Sequence, residues 1–489
     1  MPDSYAIDAD WNALYVDGEW TAADSDETIA VEDPSTREQV ATVPAAVEAD
    51  VDPAYEAAAE AQSEWADAPP ARRAEVIQDA IEALQAHSEE ITDLLAHEAG
   101  GSAIMGETSV QIATDQAGEA ATLPRRMKGE HAAANIPGKE HVVKREPRGV
   151  VTVISPWNFP LNLSMRAVAP ALATGNAVVV KPATNTPITG GLLFAKLFEE
   201  AGLPDGLLNV VTGRGSDIGD RVAGHPESDM VAFTGSTEVG RHVAATAGEN
   251  LAEQSMELGG NNAHVVTADA DIDRAIDSAT FGSFVHQGQV CISINRHLVH
   301  ESIYDEYVER LAERAEGLTV GDPREEDTVV GPIINEEQRD QIMGFIEDTL
   351  DEGGELEAGG DHDGLFVEPT VISNVTNDMS AACNEHFGPV APVIPFADDD
   401  EAVELANATE YGLAGSVHSA DQGRARDVAD QIEVGMMHVN DQPVNAEPHP
   451  PFGGMKDSGV GRYNGDWIIE EFTVDKWTSI QREDREYLF

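Results

Sequence analysis

Four short apolar runs constrain this chain more than anything else in it. They are VVTVIS at 150–155, NAVVVK at 176–181, LLNVVTG at 207–213 and DMVAFTG at 229–235, and each is followed by a turn and a helical pattern. Near-continuous apolar strands alternating with helices belong to a parallel sheet covered on both faces, so the fold class is α/β. A second such series begins at NNAHVV (261–266) and continues past FVEPTVI (366–372). Ahead of both, LYVDGEW reads as a strand. Val76, Ile77, Ile81 and Leu84 then share one helical face, and Ile91, Leu94 and Leu95 open another. At 489 residues the chain exceeds one ordinary core, which predicts two or three domains. No fixed-period repeat and no low-complexity linker interrupts it.

Two strand-to-helix turns offer backbone N–H groups to a phosphate. In LLNVVTGRGSDIGD the glycines at 213, 215 and 219 are spaced G-x-G-x-x-x-G, one residue longer than the dinucleotide fingerprint. A plain tight turn explains them equally well. FTGSTEVG places Gly235, Ser236 and Gly240 at the next junction, a second candidate for a pyrophosphate.

Charge decides which partners are excluded. Lys and Arg number 29 against 90 Asp and Glu, a formal net charge of −61 spread from end to end. With 41% hydrophobic residues the chain still folds. Such a surface disfavours nucleic acid and anionic lipid alike. It suits a halophilic protein, because molar salt screens self-repulsion over roughly 3 Å. Two cysteines make no disulfide framework, and the opening MPDSYAIDADW has neither the basic nor the apolar region of a signal peptide. No run approaches the roughly 20 apolar residues of a membrane span. The expectation is a cytoplasmic protein.

One of those cysteines, Cys291, sits in FVHQGQVCISINRHLVH among three histidines. A free cysteine is most often a small buried hydrophobe; the alternative is a thiolate nucleophile. The segment alone leaves both open. Three further stretches, SPWNFP (155–160), MELGGNN (256–262) and EHFGPV (385–390), together with GQVC resemble the aldehyde dehydrogenase superfamily, from about residue 14 to the C-terminus. Asn158 precedes Glu257 by 99 residues and Glu257 precedes Cys291 by 34, as in hydrolytic members of that family. NLSMRAVAPAL, FVHQGQVC and HVNDQPVNAEPHPPFGG look most like its benzaldehyde and vanillin dehydrogenase branch.

The resemblance implies oxidation of an aldehyde to a carboxylate with NAD or NADP. Cys291 would attack the aldehyde carbon, Asn158 and the Cys291 backbone N–H would hold the oxyanion, and Glu257 would activate water against the thioester. No metal is implied, and no cluster has metal-ligand spacing. For the cofactor the resemblance implies Lys181 on the adenosine ribose, Glu385 on the nicotinamide ribose and Phe387 at the nicotinamide end. Gly235, Ser236 and Trp157 would serve the pyrophosphate and adenosine side. Thr184 stands where NAD-preferring relatives often carry a glutamate, which leaves cofactor preference open. Arg166, eight residues after Asn158, lies where the family lines its substrate tunnel.

The implied architecture is a Rossmann-like cofactor domain (1–124 and 148–259), an α/β catalytic domain (260–471), and a β-hairpin oligomerisation element (125–147 with 472–489). A homodimer or homotetramer follows. Within the family the rivals are a succinate- or 2-oxoglutarate-semialdehyde dehydrogenase, in which Arg166 pairs with the substrate carboxylate, and a CoA-acylating enzyme, against which Glu257 argues. Outside enzymology the rival is an inactive binding or structural relative. His286, His297 and His300 read as satisfied structural histidines, Cys383 as a small packed apolar residue, and the acidic run 398–401 as a helix N-terminus.

Overall fold

The computed structural model describes residues 11–445 and 447–487. The opening stretch tested for a signal peptide, and the extreme ends of the first and last spans above, lie outside the described residues. All four apolar runs are strands. Val150–Ile154, Ala177–Lys181, Leu208–Val210 and Met230–Thr234 pair in parallel, and Glu253–Glu257 adds a fifth parallel strand beside the last. The strands are almost wholly buried, as expected for a sheet with helices on both faces. LYVDGEW folds back as a hairpin, Leu14–Val16 with Glu19–Thr21, and closes one edge of this sheet antiparallel. Val76, Ile77 and Leu84 are buried in helix Pro70–Ala86, and Ile91, Leu94 and Leu95 in helix Ser88–Ala99.

The second series builds a seven-stranded sheet. Asn262–Val266, Ile294–His300, Val390–Phe396, Thr370–Ser373, Ala414–His418 and Met436–Val439 are its parallel strands, and Glu355–Ala358 adds an antiparallel edge. A third sheet joins Glu130–Ala133, Lys139–Pro147 and Thr473–Gln481, all antiparallel and largely exposed.

The span 260–471 is not confined to the second sheet. Gly459–Val460 pairs with Met256–Glu257 on the first, and Phe452, Tyr463, Ile468, Ile469 and Phe472 pack into the first sheet's core. Apolar side chains in this return segment find their partners on helix Pro160–Thr174, which lies under the first sheet. Its course carries Phe452 and Tyr463 up to Arg166. No helix among the described residues is long and apolar enough to cross a membrane.

Candidate active site

In a parallel sheet every carboxyl end lies on one edge, and ligands bind outside that edge. Register places Lys181 opposite Ile154, Ile154 opposite Phe233, and Thr234 opposite Glu257, so these strand ends form one row. Facing them are loops that enter the second sheet: Glu385 to Phe387 lead into Val390–Phe396, and Cys291 leads into Ile294–His300. A cavity of about 180 Å³ lies between. Its walls include Trp157, Asn158, Gly235, Ser236, Glu257, Cys291, Glu385 and Phe387. Eight of the eleven sequence-predicted residues therefore meet at one place, although up to 230 positions separate them in the chain.

The other three lie apart from this cavity. Lys181 ends its strand, buried, with Nζ donating to the Pro182 carbonyl at 3.0 Å, and burial pushes its ammonium down to about 8. Thr184 sits partly exposed in the turn that follows. Arg166 is buried one helical turn beyond the cavity-lining Leu163. The G-x-G-x-x-x-G turn also lies outside the cavity. Gly213 leaves room for Ile218 of the next helix, so that glycine serves packing.

Asn158 is held at two points. Its side-chain Nδ2 donates to the Gln289 carbonyl at 2.9 Å, and its own carbonyl accepts from His286 Nε2 at 2.7 Å. His286 is buried against Phe159, and burial holds its ring down at about 4, hence neutral near pH 7. His286 and Gln287 both take positive φ, 49° and 58°. Such backbone costs of order 1–3 kcal/mol per non-glycine residue, and surrounding contacts must enforce it. Gln287 supplies some of them by donating to the carbonyls of Gly100 and Pro332. Downstream, Asn262 Nδ2 holds the Cys291 carbonyl at 2.9 Å. The cysteine is thus fixed on a strained, tethered loop.

The histidines divide. His297 is satisfied by Ser283 and Tyr307, and His300 accepts from the Ser302 backbone N–H. His286 is structural in its bonding, yet one of its bonds orients Asn158, and its Nδ1 is buried without a partner. The acidic run caps helix Asp399–Asn407 through Asp398, which accepts from Glu401 N at 3.0 Å. Cys383 departs from expectation: it is exposed, because it closes the short helix Ser380–Cys383 at the surface.

Burial dominates the electrostatics. It pushes the Glu257 carboxyl up to about 8, opposed by Arg166 and Arg462, and neither carboxyl oxygen has a hydrogen-bond partner. Burial likewise pushes the Cys291 thiol up to about 12, with Arg166 opposing and the two glutamates reinforcing. The surroundings of Cys291 therefore favour the neutral thiol over the thiolate. Glu385 is raised to about 7 by burial while its Oε1 accepts from Gly260 N at 2.9 Å. A side chain at Gly259 would meet that carboxyl, and one at Gly260 would meet the Cys291 carbonyl.

Sequence reading missed Gln338 and Gln341, which line the cavity from helix Glu336–Asp351. Gln338 Nε2 donates to the Phe387 carbonyl at 3.2 Å. Neither glutamine stands in a motif. Arg462 was missed too; its charge acts on Glu257 from the return segment.

Two mainly parallel sheets, with a partly buried cysteine and an unpartnered carboxyl where they meet, have the architecture of a nucleotide-binding α/β enzyme. A family model described as the aldehyde dehydrogenase family matches residues 20–478. A vanillin dehydrogenase of Corynebacterium glutamicum is 47% identical over 96% of this chain and 97% of its own. A benzaldehyde dehydrogenase [NAD(+)] of Pseudomonas putida is 43% identical over 94% of each. A betaine aldehyde dehydrogenase of Staphylococcus aureus, solved in complex with NAD+, superposes with a TM-score of 0.95 at 35% identity, covering 97% of this chain and 96% of its own. The chain belongs to the aldehyde dehydrogenase family.

Proposed function

We propose that this enzyme oxidises aromatic aldehydes to carboxylates with NAD(P)+, by way of a thiohemiacetal and then a thioester on Cys291. One observation carries the aromatic assignment: the Arg166 guanidinium carbon lies over the Phe452 ring, 4.1 Å from its centroid, with the Tyr463 centroid at 5.2 Å. Arg166 forms no ion pair among the described residues, and its neighbours here are aromatic faces, the kind of surface against which an aryl ring packs. The vanillin and benzaldehyde dehydrogenases among the relatives agree.

Each residue has a task. Glu257, bare at both oxygens, accepts the thiol proton as the Cys291 sulfur attacks the aldehyde carbon. The second Asn158 Nδ2 hydrogen and the Cys291 N–H receive the oxyanion. A bound nicotinamide cofactor supplies the hydride acceptor. Glu257 releases the thiol proton to solvent once the thioester has formed, and then takes a proton from water, whose oxygen adds to the thioester carbon and displaces the sulfur as thiolate. The acid product gives its proton to solvent and leaves as the carboxylate. The residues present fit such a cofactor. Glu385 turns a buried carboxyl toward the cavity, Phe387 packs edge-on against Trp157 with centroids 5.4 Å apart, and Ser236 caps the 13-residue helix Thr237–Glu249. Lys181 and Thr184 extend the same strand-end row toward the adenosine. Thr184 brings no charge against a 2′-phosphate, so both NAD and NADP are admitted.

The domain division follows the three sheets, apart from the return segment. The exposed third sheet, with Val474 and Trp477 at 47% and 65% exposure, is the surface through which copies would join as a dimer or tetramer. A cytoplasmic location fits the two free cysteines.

The second reading is a succinate- or 2-oxoglutarate-semialdehyde dehydrogenase, and the buried, unpartnered Arg166 Nη2 favours it. Absorbance of NAD(P)H, followed across an aldehyde panel with both cofactors, separates the two. Benzaldehyde is expected to exceed succinate semialdehyde in kcat/KM, and the reverse order would replace the aromatic assignment.

We further infer halophilic stability. Asp305, Glu309, Glu313, Glu316, Glu355 and Glu357 crowd a single surface groove, and the chain carries −61 overall. At 0.01 M salt these charges act over roughly 30 Å instead of roughly 3 Å at 1 M. Circular dichroism and activity are expected to be lost together on dialysis to low salt. A folded, active enzyme there would refute this reading.

A further inference from the structure

Beyond Arg166, away from the cysteine, lies a second, very small cavity of about 20 Å³. Helix Ala103–Ala120 supplies Gln116 and Glu119, helix Pro160–Thr174 supplies Arg166 and Pro170, and the return segment supplies Asn464 and Ile468. Two residues of this wall each carry a buried polar atom without a partner: Nη2 of Arg166 and Oε1 of Gln116. One is a donor and the other an acceptor. An unsatisfied buried polar atom is costly, so a pair of opposite sense beside one small space marks a place for a third group. A space this size holds about one water-sized group.

The cavity is within reach of the chemistry. Arg166 acts electrostatically on both Glu257 and Cys291. Leu163, on the catalytic cavity, and Arg166 are three residues apart on one helix, a rise of roughly 4.5 Å. That is about the span of a benzene ring. An aryl ring seated at Cys291 would have to extend past Arg166 to bring a substituent to this second cavity.

We propose that Gln116 and Arg166 form a subsite for a hydroxyl group on the substrate's aromatic ring, making Gln116 a specificity-determining residue. The hydroxyl donates to Gln116 Oε1 and accepts from Arg166 Nη2, satisfying both. A carboxylate satisfies only the arginine: it has no hydrogen for Gln116 and would add negative charge beside Glu119. A methoxy group likewise accepts but does not donate, and its methyl overfills the space. In the enzyme without substrate, water would hold the same place. This subsite rests on the aromatic reading given above.

The test compares kcat/KM for benzaldehyde, 3- and 4-hydroxybenzaldehyde, the matching methoxybenzaldehydes and succinate semialdehyde. In the wild type one hydroxybenzaldehyde is expected to exceed both benzaldehyde and its methoxy analogue by about tenfold, the value of one well-placed hydrogen bond. Gln116→Met, near in shape but without the acceptor, is expected to bring the hydroxy-to-benzaldehyde ratio close to one. A wild type that treats the hydroxy and methoxy substrates alike would overturn the subsite whether or not the variant folds. An unchanged ratio in folded Gln116→Met would overturn the role of Gln116. Benzaldehyde oxidised without hydroxyl preference leaves the aromatic reading standing, whereas oxidation of succinate semialdehyde alone removes both.

Discussion

Cys291→Ser is expected to lower aldehyde oxidation by roughly 10⁴- to 10⁶-fold while NAD(P)+ binding stays close to that of the wild type. Cys291 lines the same cavity as Asn158 and Glu257, and its carbonyl is fixed by Asn262, so the substitution leaves the loop's tethers in place. Serine keeps the shape and removes the nucleophile. Its hydroxyl is far less acidic than even this buried thiol, which already stands near 12. In the proposed site Glu385, Phe387, Trp157 and the 235–236 turn hold the dinucleotide, and the substitution alters none of them. Steady-state NAD(P)H formation and cofactor titration by fluorescence measure the two properties. Turnover near the wild-type rate would remove Cys291 from the mechanism.

Glu257→Gln is expected to produce one equivalent of NAD(P)H per active site and then stall, with steady-state turnover down roughly 10²- to 10⁴-fold. The first turnover slows as well, because Glu257 is the unpartnered carboxyl in the same cavity as the thiol. Glutamine conserves the volume and cannot accept a proton. A pH dependence accompanies the stall. A carboxyl raised to about 8 is protonated below that pH and becomes a base as pH rises through it, so wild-type thioester hydrolysis climbs across that range. The Gln variant lacks that rise. Continued multiple turnover in Glu257→Gln would place the hydrolytic base elsewhere.

The strands were legible because they are buried on both faces, and such strands show as unbroken apolar runs. Asn158, Glu257, Cys291, Glu385 and Phe387 were legible through matching motifs at matching intervals. Nothing local marked Gln116, Gln338 or Gln341. Each is one polar residue on an otherwise ordinary helix, and only tertiary packing turns it toward a cavity. The return of residues 452–472 to the first core was hidden for a related reason, since an apolar residue does not say which of two cores it joins. The G-x-G-x-x-x-G turn was ambiguous in sequence, because close helix packing and phosphate binding ask for the same glycine. Cys383 was misjudged from the usual fate of its residue type; its place at the end of a surface helix decided otherwise.

The central claim is that Cys291 carries the acyl group. Its most direct test is peptide mass mapping of Glu257→Gln, quenched in acid after one turnover of benzaldehyde with NAD+. A benzoyl mass increment is expected on the peptide that contains Cys291 and none on the peptide that contains Cys383. NADH formation with no acylated peptide, or with the acyl group on Cys383, would contradict it.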